Sequence, residues 1–288
     1  MNAPPKVKSM YDLQAEYIEF CRKTEGETLD LGNWIPAFMS HVRPLVPGEL
    51  CFLMADTGIG KTAILQNIAC RARDMSVILF EMELPGTLCF ERFSAMSNLV
   101  DGWQVEQAYR NGEKLRIGPM DHIYVCDKAG LTIQDMRNVL EWDAKEQGGH
   151  DFKLVLVDYI GLLSVQGSRS RYERMSEAAE QLKVFAKDTD TIVVAATQIH
   201  RTGPDSEAEI HLHDAKDSGS IENSAGVLIG AYRDEYDKEK LILKVLKNTK
   251  GMAGAKIECR FNGGQMRITP WCDNDFDPAR EAAELEIT

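Results

Sequence analysis

One segment, ELCFLMADTGIGKTAILQNIA at residues 49–69, constrains the fold more than any other. An apolar run typical of a strand, Leu50–Ala55, leads through a glycine-containing turn into a helix-forming stretch that opens with Lys61 and Thr62. Loops in this context bind phosphates through backbone N–H groups and the N-terminus of the following helix. The pattern departs from GxxxxGK[ST] at its first position, where Ala55 replaces glycine. We predict a phosphate-binding loop, against the alternative of a chance Gly-Lys-Thr at a helix start.

The predicted loop assigns roles to its side chains. Lys61 would reach the β- and γ-phosphates of a nucleotide, and the Thr62 hydroxyl would bind Mg²⁺. A second strand must supply a carboxylate for the metal, and the apolar run Lys153–Asp158 ends in such an acid. ATP and Mg²⁺ are thus the expected cofactors, with Thr62 and Asp158 as the metal ligands. The expected ATP-binding residues are Ala55, Asp56, Thr57, Gly58, Ile59, Gly60, Lys61 and Thr62.

Hydrolysis of a nucleotide also needs a group that orients the attacking water. The segment Val77-Ile-Leu-Phe-Glu-Met-Glu83 reads as a strand that should lie beside the phosphate-loop strand, and two acids stand near its end. Glu83 is one candidate for this role and Glu81 is its rival. The residues themselves do not choose between them.

Short apolar runs that favour strands alternate with helix-like stretches along the centre of the chain, which predicts an α/β fold with a mainly parallel sheet covered on both faces. Beyond Ile221 strand candidates follow one another, so we expect an antiparallel extension at the sheet edge. Helices are expected at stretches such as Thr62–Asp74 and Arg174–Lys187. The predicted strands are Leu50–Ala55, Ser76–Glu81, Ile123–Cys126, Lys153–Asp158, Thr191–Thr197, Val227–Tyr232, Leu241–Val245, Ala255–Phe261 and Gln265–Thr269.

Composition is that of an ordinary globular protein. Of 288 residues, 44% are hydrophobic, and the net charge of −12 argues against a surface that coats nucleic acid indiscriminately. The longest apolar stretch, 154–165, is broken by Asp158, so no membrane span is expected, and the N-terminus lacks the apolar run of a secretory signal. The 7 cysteines form no CxxC pair and are interpreted as reduced core residues. We expect a cytoplasmic location.

Three parts are predicted along the chain. Residues 1–46 would form a short amphipathic helix around Met10–Cys21 and an irregular linker that is rich in glycine and proline. Residues 47–271 would form the nucleotide-binding domain. Residues 272–288 are acidic with little to bury, so we expect a mobile tail.

From about Leu29 to about Arg267 the chain resembles the RecA-like C-terminal ATPase domain of the DnaB-type replicative helicases. PGELCFLMADTGIGKT is similar to the first motif of that family, in which alanine is common at the first loop position. VILFEMELP and LVLVDYIGLL resemble the next two motifs, and this alignment selects Glu83 over Glu81 as the residue that polarises water. ATQIHR resembles the motif whose glutamine senses the γ-phosphate, which implies this role for Gln198.

The resemblance also implies DNA-contacting residues. DAKDSGSIENSAGVLIGAYRDE is similar to the family segment that holds a DNA loop, and the matching positions are Lys216, Asp217 and Gly219. One lysine and flexible Ser-Gly-Ser chain can touch a single-strand backbone without making the whole protein basic. An ordinary polar turn is the alternative. Arg169 and Arg171 lie in a second candidate loop, for which a solvated surface loop is an equal interpretation.

The family places a trans-acting arginine finger in a Lys-x-Arg pattern on a late strand. Here Lys247 matches the lysine, but Thr249 occupies the arginine position, and Lys250 follows it. Lysine is a point charge without the planar guanidinium fork, so Lys250 is not an equivalent replacement. This departure puts fast hydrolysis coupled between subunits in doubt.

Taken with the motifs, the resemblance implies an ATP-dependent helicase that forms a homo-oligomeric ring, a hexamer, and moves on single-stranded DNA during DNA replication. A primase or a helicase loader would be its protein partners, and a stand-alone domain of this kind suits a phage or a bacterial host that a phage infects. Two alternatives stay open: a RecA/KaiC-like regulatory or recombination ATPase without unwinding activity, and a non-catalytic subunit of a mixed ring.

Overall fold

The structure, a computed structural model, describes residues 7–147, 149–165, 167, 170–199, 209–212, 214 and 219–272. Nine strands within these residues form one sheet in the order β3-β2-β4-β5-β1-β6-β7-β8-β9. The strands are β1 Leu50–Ala55, β2 Ser76–Glu81, β3 Ile123–Cys126, β4 Phe152–Asp158, β5 Ile192–Gln198, β6 Val227–Arg233, β7 Lys240–Asn248, β8 Lys256–Asn262 and β9 Arg267–Pro270.

The sheet divides into a parallel part and an antiparallel part. Strands β1 to β6 pair in parallel, whereas β7, β8 and β9 add to the edge at β6 as antiparallel neighbours. The predicted α/β class is confirmed, and the predicted bounds of β1, β2 and β3 agree with the structure. The strand predicted to begin at Gln265 begins at Arg267, because residues 263–266 form a turn in which Met266 has a positive φ of 53°.

Helices cover both faces of the sheet. In β1 alternate side chains enter two cores, with Cys51 and Leu53 on the face that α2 covers and Phe52 and Met54 on the face that α6 covers. Burial on both faces explains why the parallel strands read as continuous apolar runs. The helices are α1 Met10–Lys23, α2 Lys61–Arg71, α3 Gly86–Asn98, α4 Gly102–Arg110, α5 Ile133–Trp142, α6 Arg171–Thr189 and α7 Gly219–Ser224.

The segment 29–45, predicted as an irregular linker, packs against the sheet. It forms short 3₁₀ turns at Leu31–Asn33 and Pro36–Ser40, and Leu29 and Leu45 form a β-bridge. Its apolar side chains belong to the same core as α2, and the Trp34 indole N–H donates to the Ile268 carbonyl over 3.1 Å. Glycine and proline content indicates irregular backbone but not whether that backbone is buried, so the sequence pattern does not reveal this packing. The proposed domain boundaries remain predictions.

Helix α1 has no buried residue. The side chains of Tyr11 and Tyr17 are exposed on it, and Lys23 at its end forms an ion pair with Asp190. Among the residues that the structure describes, each helix is too short or too polar to cross a lipid bilayer.

The register of the parallel strands brings four sequence-distant residues to one edge. Glu81 at the end of β2 stands opposite Asp158 at the end of β4, and Ala55 at the end of β1 stands opposite Gln198 at the end of β5. In open α/β sheets, ligands bind outside the carboxyl ends of the strands. The fold therefore directs attention to this edge.

Candidate functional site

The phosphate loop connects β1 to α2 at the carboxyl edge of the sheet. Gly58 and Gly60 have φ values of +80° and +113°, which L side chains rarely adopt. Gly60 is also the N-cap of α2, and no side chain caps this helix N-terminus. The first N–H groups of α2 thus lack a side-chain acceptor at the place where an anion is favoured.

Lys61, the first residue of α2, is buried beside this loop. Its Nζ donates to the Asp56 carbonyl oxygen over 3.1 Å, which folds the side chain back over the loop. Burial lowers the pKa of Lys61, and the negative charges of Asp158, Glu83 and Asp56 oppose that shift. The carboxylates therefore help to keep the amine protonated, the form that attracts phosphate.

Asp158 ends β4 as a fully buried carboxylate. Neither of its oxygens has a hydrogen-bond partner among the described residues. Burial raises its pKa, while the nearby Thr62 hydroxyl and the charge of Lys61 act to lower it. A buried carboxylate without hydrogen bonds costs several kcal/mol unless a cation or a proton compensates it. The donor set of Asp158 and Thr62, both oxygen ligands, fits Mg²⁺.

Glu81 and Glu83 have different environments. Glu81 is fully buried, and its Oε1 accepts the backbone N–H groups of Glu83 and Leu84 over 3.1 and 3.0 Å. Burial and the charge of Asp158 raise its pKa to about 7. Glu83 is exposed, and its negative charge acts on both Lys61 and Asp158. Glu83 is thus the acid that water and nucleotide can reach, and Glu81 holds the turn that carries it.

Gln198, at the end of β5, contacts the phosphate loop directly. Its Nε2 donates to the Thr57 hydroxyl over 2.5 Å. A side chain in this position can register what occupies the loop, because a phosphate would compete for the same donors. Lys61, Thr62, Asp158, Glu83 and Gln198 therefore lie around one edge of the sheet.

Sequence reasoning missed a pair beside the same loop, Arg233 and Phe261. The guanidinium of Arg233 lies 4.1 Å from the centre of the Phe261 ring, and its Nη2 donates to the Ile59 carbonyl over 2.9 Å. A Cβ on Gly60 would stand 3.4 Å from the Phe261 ring. Phe261 comes from β8, far along the chain, so no local signal indicates this contact. Burial lowers the pKa of Arg233 to about 10, which leaves it charged.

The trans-acting candidates lie at the opposite edge of the sheet. Lys247 is paired in register with Leu228, near the start of β6, and its Nζ donates to the Glu222 carbonyl. Lys250 forms an ion pair of 2.7 Å with Glu49, which directly precedes β1. The phosphate loop follows the other end of β1, about 17 Å away for a strand of this length. Neither lysine can serve the loop of its own chain.

The predicted DNA contacts fall mostly outside the described residues. Lys216, Asp217 and Arg169 lie outside them, and only the backbone of Arg171 is described, as the first residue of α6. Gly219 begins α7, a helix that packs against α6. The assignment of these residues to DNA stays a prediction.

The strand order, the phosphate loop after β1 and the carboxylate at the end of β4 define the RecA-like class of P-loop proteins. Within that class, the model of the family described as DnaB-like helicase C terminal domain matches residues 38–269. The chain belongs to this family, and the resemblance stated from the motifs is confirmed.

Curated relatives are replicative helicases. The chain is 26% identical over 283 residues to the replicative DNA helicase DnaB of Pasteurella multocida, with 92% of this chain and 59% of the relative covered. It is 29% identical over 208 residues to the replicative DNA helicase DnaC of Bacillus subtilis, with 66% and 44% covered. The chain thus spans about half to three fifths of these relatives.

Solved structures share the fold. The ATPase domain of a phage helicase superposes with a TM-score of 0.77 at 19% identity, covering 92% of this chain and all of that one. A DnaB-like replicative helicase, from a study of its interactions with primase, superposes with a TM-score of 0.65 at 21% identity and covers 78% of this chain and 59% of that one. At these identities the likeness concerns the fold alone.

Proposed function

We propose that the chain is the ATPase motor of a ring-shaped DNA helicase that moves on single-stranded DNA during replication. The observation that carries this proposal is the convergence of Lys61, Asp158, Glu83 and Gln198 at one edge of the sheet in a chain of the DnaB-like helicase family.

The proposed chemistry is in-line attack of water on the γ-phosphate of ATP. Lys61 would hold the β- and γ-phosphates, and the N–H groups at the start of α2 would add to this charge stabilisation. Glu83, exposed and negative, would orient the water. Gln198 would release Thr57 and respond to the γ-phosphate, which couples the nucleotide state to β5.

The buried oxygens of Asp158 and the hydroxyl of Thr62 are the groups that would hold Mg²⁺. When bound, the metal neutralises charge on the phosphates as the bond to the γ-phosphate breaks. Without a cation the burial of Asp158 stays uncompensated, so we expect nucleotide affinity to depend on Mg²⁺.

The stacked pair of Arg233 and Phe261 would contact the nucleotide beyond its phosphates. The pair forms a flat face directly beside Gly60. Nucleotide bases stack on aromatic rings and on guanidinium planes. We therefore assign the pair to the base side of the ATP site.

The position of the two lysines supports a ring. Lys247 and Lys250 lie at the edge opposite the phosphate loop, so they can reach a nucleotide only on a neighbouring subunit. Helix α1, with no buried residue and with apolar side chains exposed, would dock on that neighbour. The proposed assembly is a homo-hexamer with single-stranded DNA in its channel and a primase or a loader as protein partners.

The test is ATP hydrolysis measured against protein concentration, with and without single-stranded DNA, at one stated low salt concentration because phosphate contacts are salt-dependent. We expect turnover per chain to rise with protein concentration and with DNA, and Lys61→Ala to abolish it while Lys8→Ala, on an exposed side chain, leaves it unchanged.

Each failure has a distinct meaning. Turnover that is indifferent to DNA and concentration would move the chain to the regulatory ATPase, and binding of ATP without turnover would move it to the non-catalytic subunit. Full turnover by Lys61→Ala would refute the site itself. Strand separation of a forked duplex distinguishes the helicase from both alternatives.

A further inference from the structure

A cavity of about 200 Å³ lies at the end of α2 opposite the phosphate loop. Four arginines line it: Arg71 at the end of α2, Arg73 just after it, Arg116 before β3 and Arg267 at the start of β9. Among the described residues that line the cavity, none is an aspartate or a glutamate. In a chain with a net charge of −12, this is a local concentration of positive charge.

The walls of the cavity are fixed by hydrogen bonds. Asn67 donates to the Met266 carbonyl over 2.8 Å and accepts the Ile268 N–H over 3.0 Å, which ties β9 to α2. Asn98 donates to the Arg116 carbonyl over 2.8 Å, which ties the segment before β3 to the end of α3. The four arginines therefore come from elements that are locked together, and the cavity is formed before any ligand enters.

The helix ends at the cavity do not balance its positive charge. The C-termini of α2 and α3 meet there, and each helix end carries roughly half a negative charge. Two such ends supply about one negative charge, less than the guanidinium groups of Arg71 and Arg116 carry by themselves. Guanidinium groups bind carboxylates and phosphates through paired hydrogen bonds. Since these two arginines come from different elements, the cavity suits an anionic ligand with more than one acidic group.

We propose that the acidic C-terminal segment of this chain, residues 273–288, docks in the arginine cavity. The segment carries six carboxylates and one arginine. The described chain ends at Cys272, five residues after Arg267, and a segment of this length extends up to about 50 Å, so the cavity is within its reach.

The composition of the segment matches both features of the cavity. Met96, Leu99 and Met120 form apolar wall between the arginines, and the segment interleaves Phe276 and Leu285 with its acids. A tethered segment also has an effective concentration in the millimolar range, which an anion free in solution must exceed to displace it. Reach, charge and tethering together favour the chain's own segment over an external phosphate.

The proposal is independent of the ATP site. The cavity and the phosphate loop lie at opposite ends of α2, about 16 Å apart for 11 residues. None of the arginines contributes to the phosphate loop, so binding at the cavity can be measured without nucleotide.

The experiment uses the full chain with its six C-terminal carboxylates changed to the matching amides, so that the cavity is vacated. A fluorescein-labelled peptide of residues 273–288 is then titrated at low salt and followed by anisotropy. We expect saturable binding to this chain and binding at least tenfold weaker, by about 1.4 kcal/mol or more, to the unmodified chain, whose own segment occupies the cavity.

Two variants in the amidated chain locate the binding. Arg71→Gln with Arg116→Gln should weaken peptide binding at least about tenfold, since two charge-assisted contacts are lost. Arg110→Gln, on an exposed arginine of α4 that pairs with Glu106, is the matched control and should leave binding unchanged.

The proposal is overturned if the peptide fails to bind the amidated chain, if the amidated and unmodified chains bind it equally, or if the control weakens binding as much as the double variant. Arg71- and Arg116-dependent binding of inorganic phosphate or of a single-stranded oligonucleotide, without binding of the peptide, would replace the chain's own segment by an external phosphate.

Discussion

Glu81 stands in register with Asp158 at the ends of neighbouring parallel strands, and both carboxyl groups are fully buried. One oxygen of Glu81 accepts two backbone N–H groups from the turn that follows, whereas Asp158 has no such partner among the described residues. The two acids therefore differ in function. Glu81 fixes the turn that presents Glu83, and Asp158 remains available to a cation.

This relationship predicts different outcomes at the two glutamates. Glu83→Gln should retain nucleotide binding and lose turnover by about 100-fold or more, because the group that orients water is gone. Glu81→Gln keeps an oxygen that can accept the N–H groups of Glu83 and Leu84, so its turnover should change only a few-fold. Nucleotide affinity and kcat, measured for both variants, check this. Activity that survives in Glu83→Gln and is lost in Glu81→Gln would reverse the assignment.

The Arg233 and Phe261 pair makes a prediction about affinity. Arg233→Ala should weaken ATP binding by about tenfold, since a stacked guanidinium contributes roughly 1 to 2 kcal/mol. Inorganic triphosphate, which has no base, should bind both proteins almost equally. Arg260→Ala is the matched control, because Arg260 lies 5.2 Å from the Trp271 ring on the same strand as Phe261, away from the loop. Equal weakening by the control variant would show that the pair acts through β8 rather than through the nucleotide.

Thr249 offers a gain-of-function test of the ring. Its hydroxyl donates to the Gly226 carbonyl over 3.1 Å, at the edge of the sheet opposite the phosphate loop. Thr249→Arg should raise turnover at least about tenfold, because a guanidinium supplied in trans stabilises the transition state. The increase should appear only at protein concentrations at which subunits associate. Thr249→Gln, of similar length but uncharged, should not reproduce it, and stimulation at all dilutions would argue against action between subunits.

Acid stability should depend on Glu209. Its carboxylate forms ion pairs with Lys244 and Lys256, which lower its pKa to about 2. A carboxyl group with a depressed folded-state pKa stabilises the fold above its ordinary pKa of 4.5 and loses that contribution as the pH falls towards 2.

Glu209→Gln should therefore reduce the free energy of unfolding near neutral pH by about 1 kcal/mol or less, because the pairs are partly exposed. Urea titrations between about pH 7 and pH 3 should show the gap to the unmodified chain narrowing as the pH falls. Glu106→Gln, which breaks an exposed pair within α4, should cause a smaller loss. A gap that stays constant with pH would contradict the assignment of the pKa shift to these lysines.

The phosphate loop, the parallel strands and the family could all be predicted from the amino-acid pattern. These features are local: a strand that is buried on both faces shows as a continuous apolar run, and a phosphate loop needs its glycines, Lys61 and Thr62 within eight residues. Such patterns can be recognised without knowing what packs against them.

Features that depend on distant parts of the chain became visible only in the folded molecule. Burial of Glu81 and exposure of Glu83, two residues apart, follow from the register of β2 with β4. The contact of Arg233 with Phe261 needs the antiparallel strands to fold back along the edge of the sheet. The arginine cavity likewise joins the ends of α2 and α3 to β9. Contacts of this kind follow from which strands pair and which helices cover them, and no periodicity in the sequence encodes that choice.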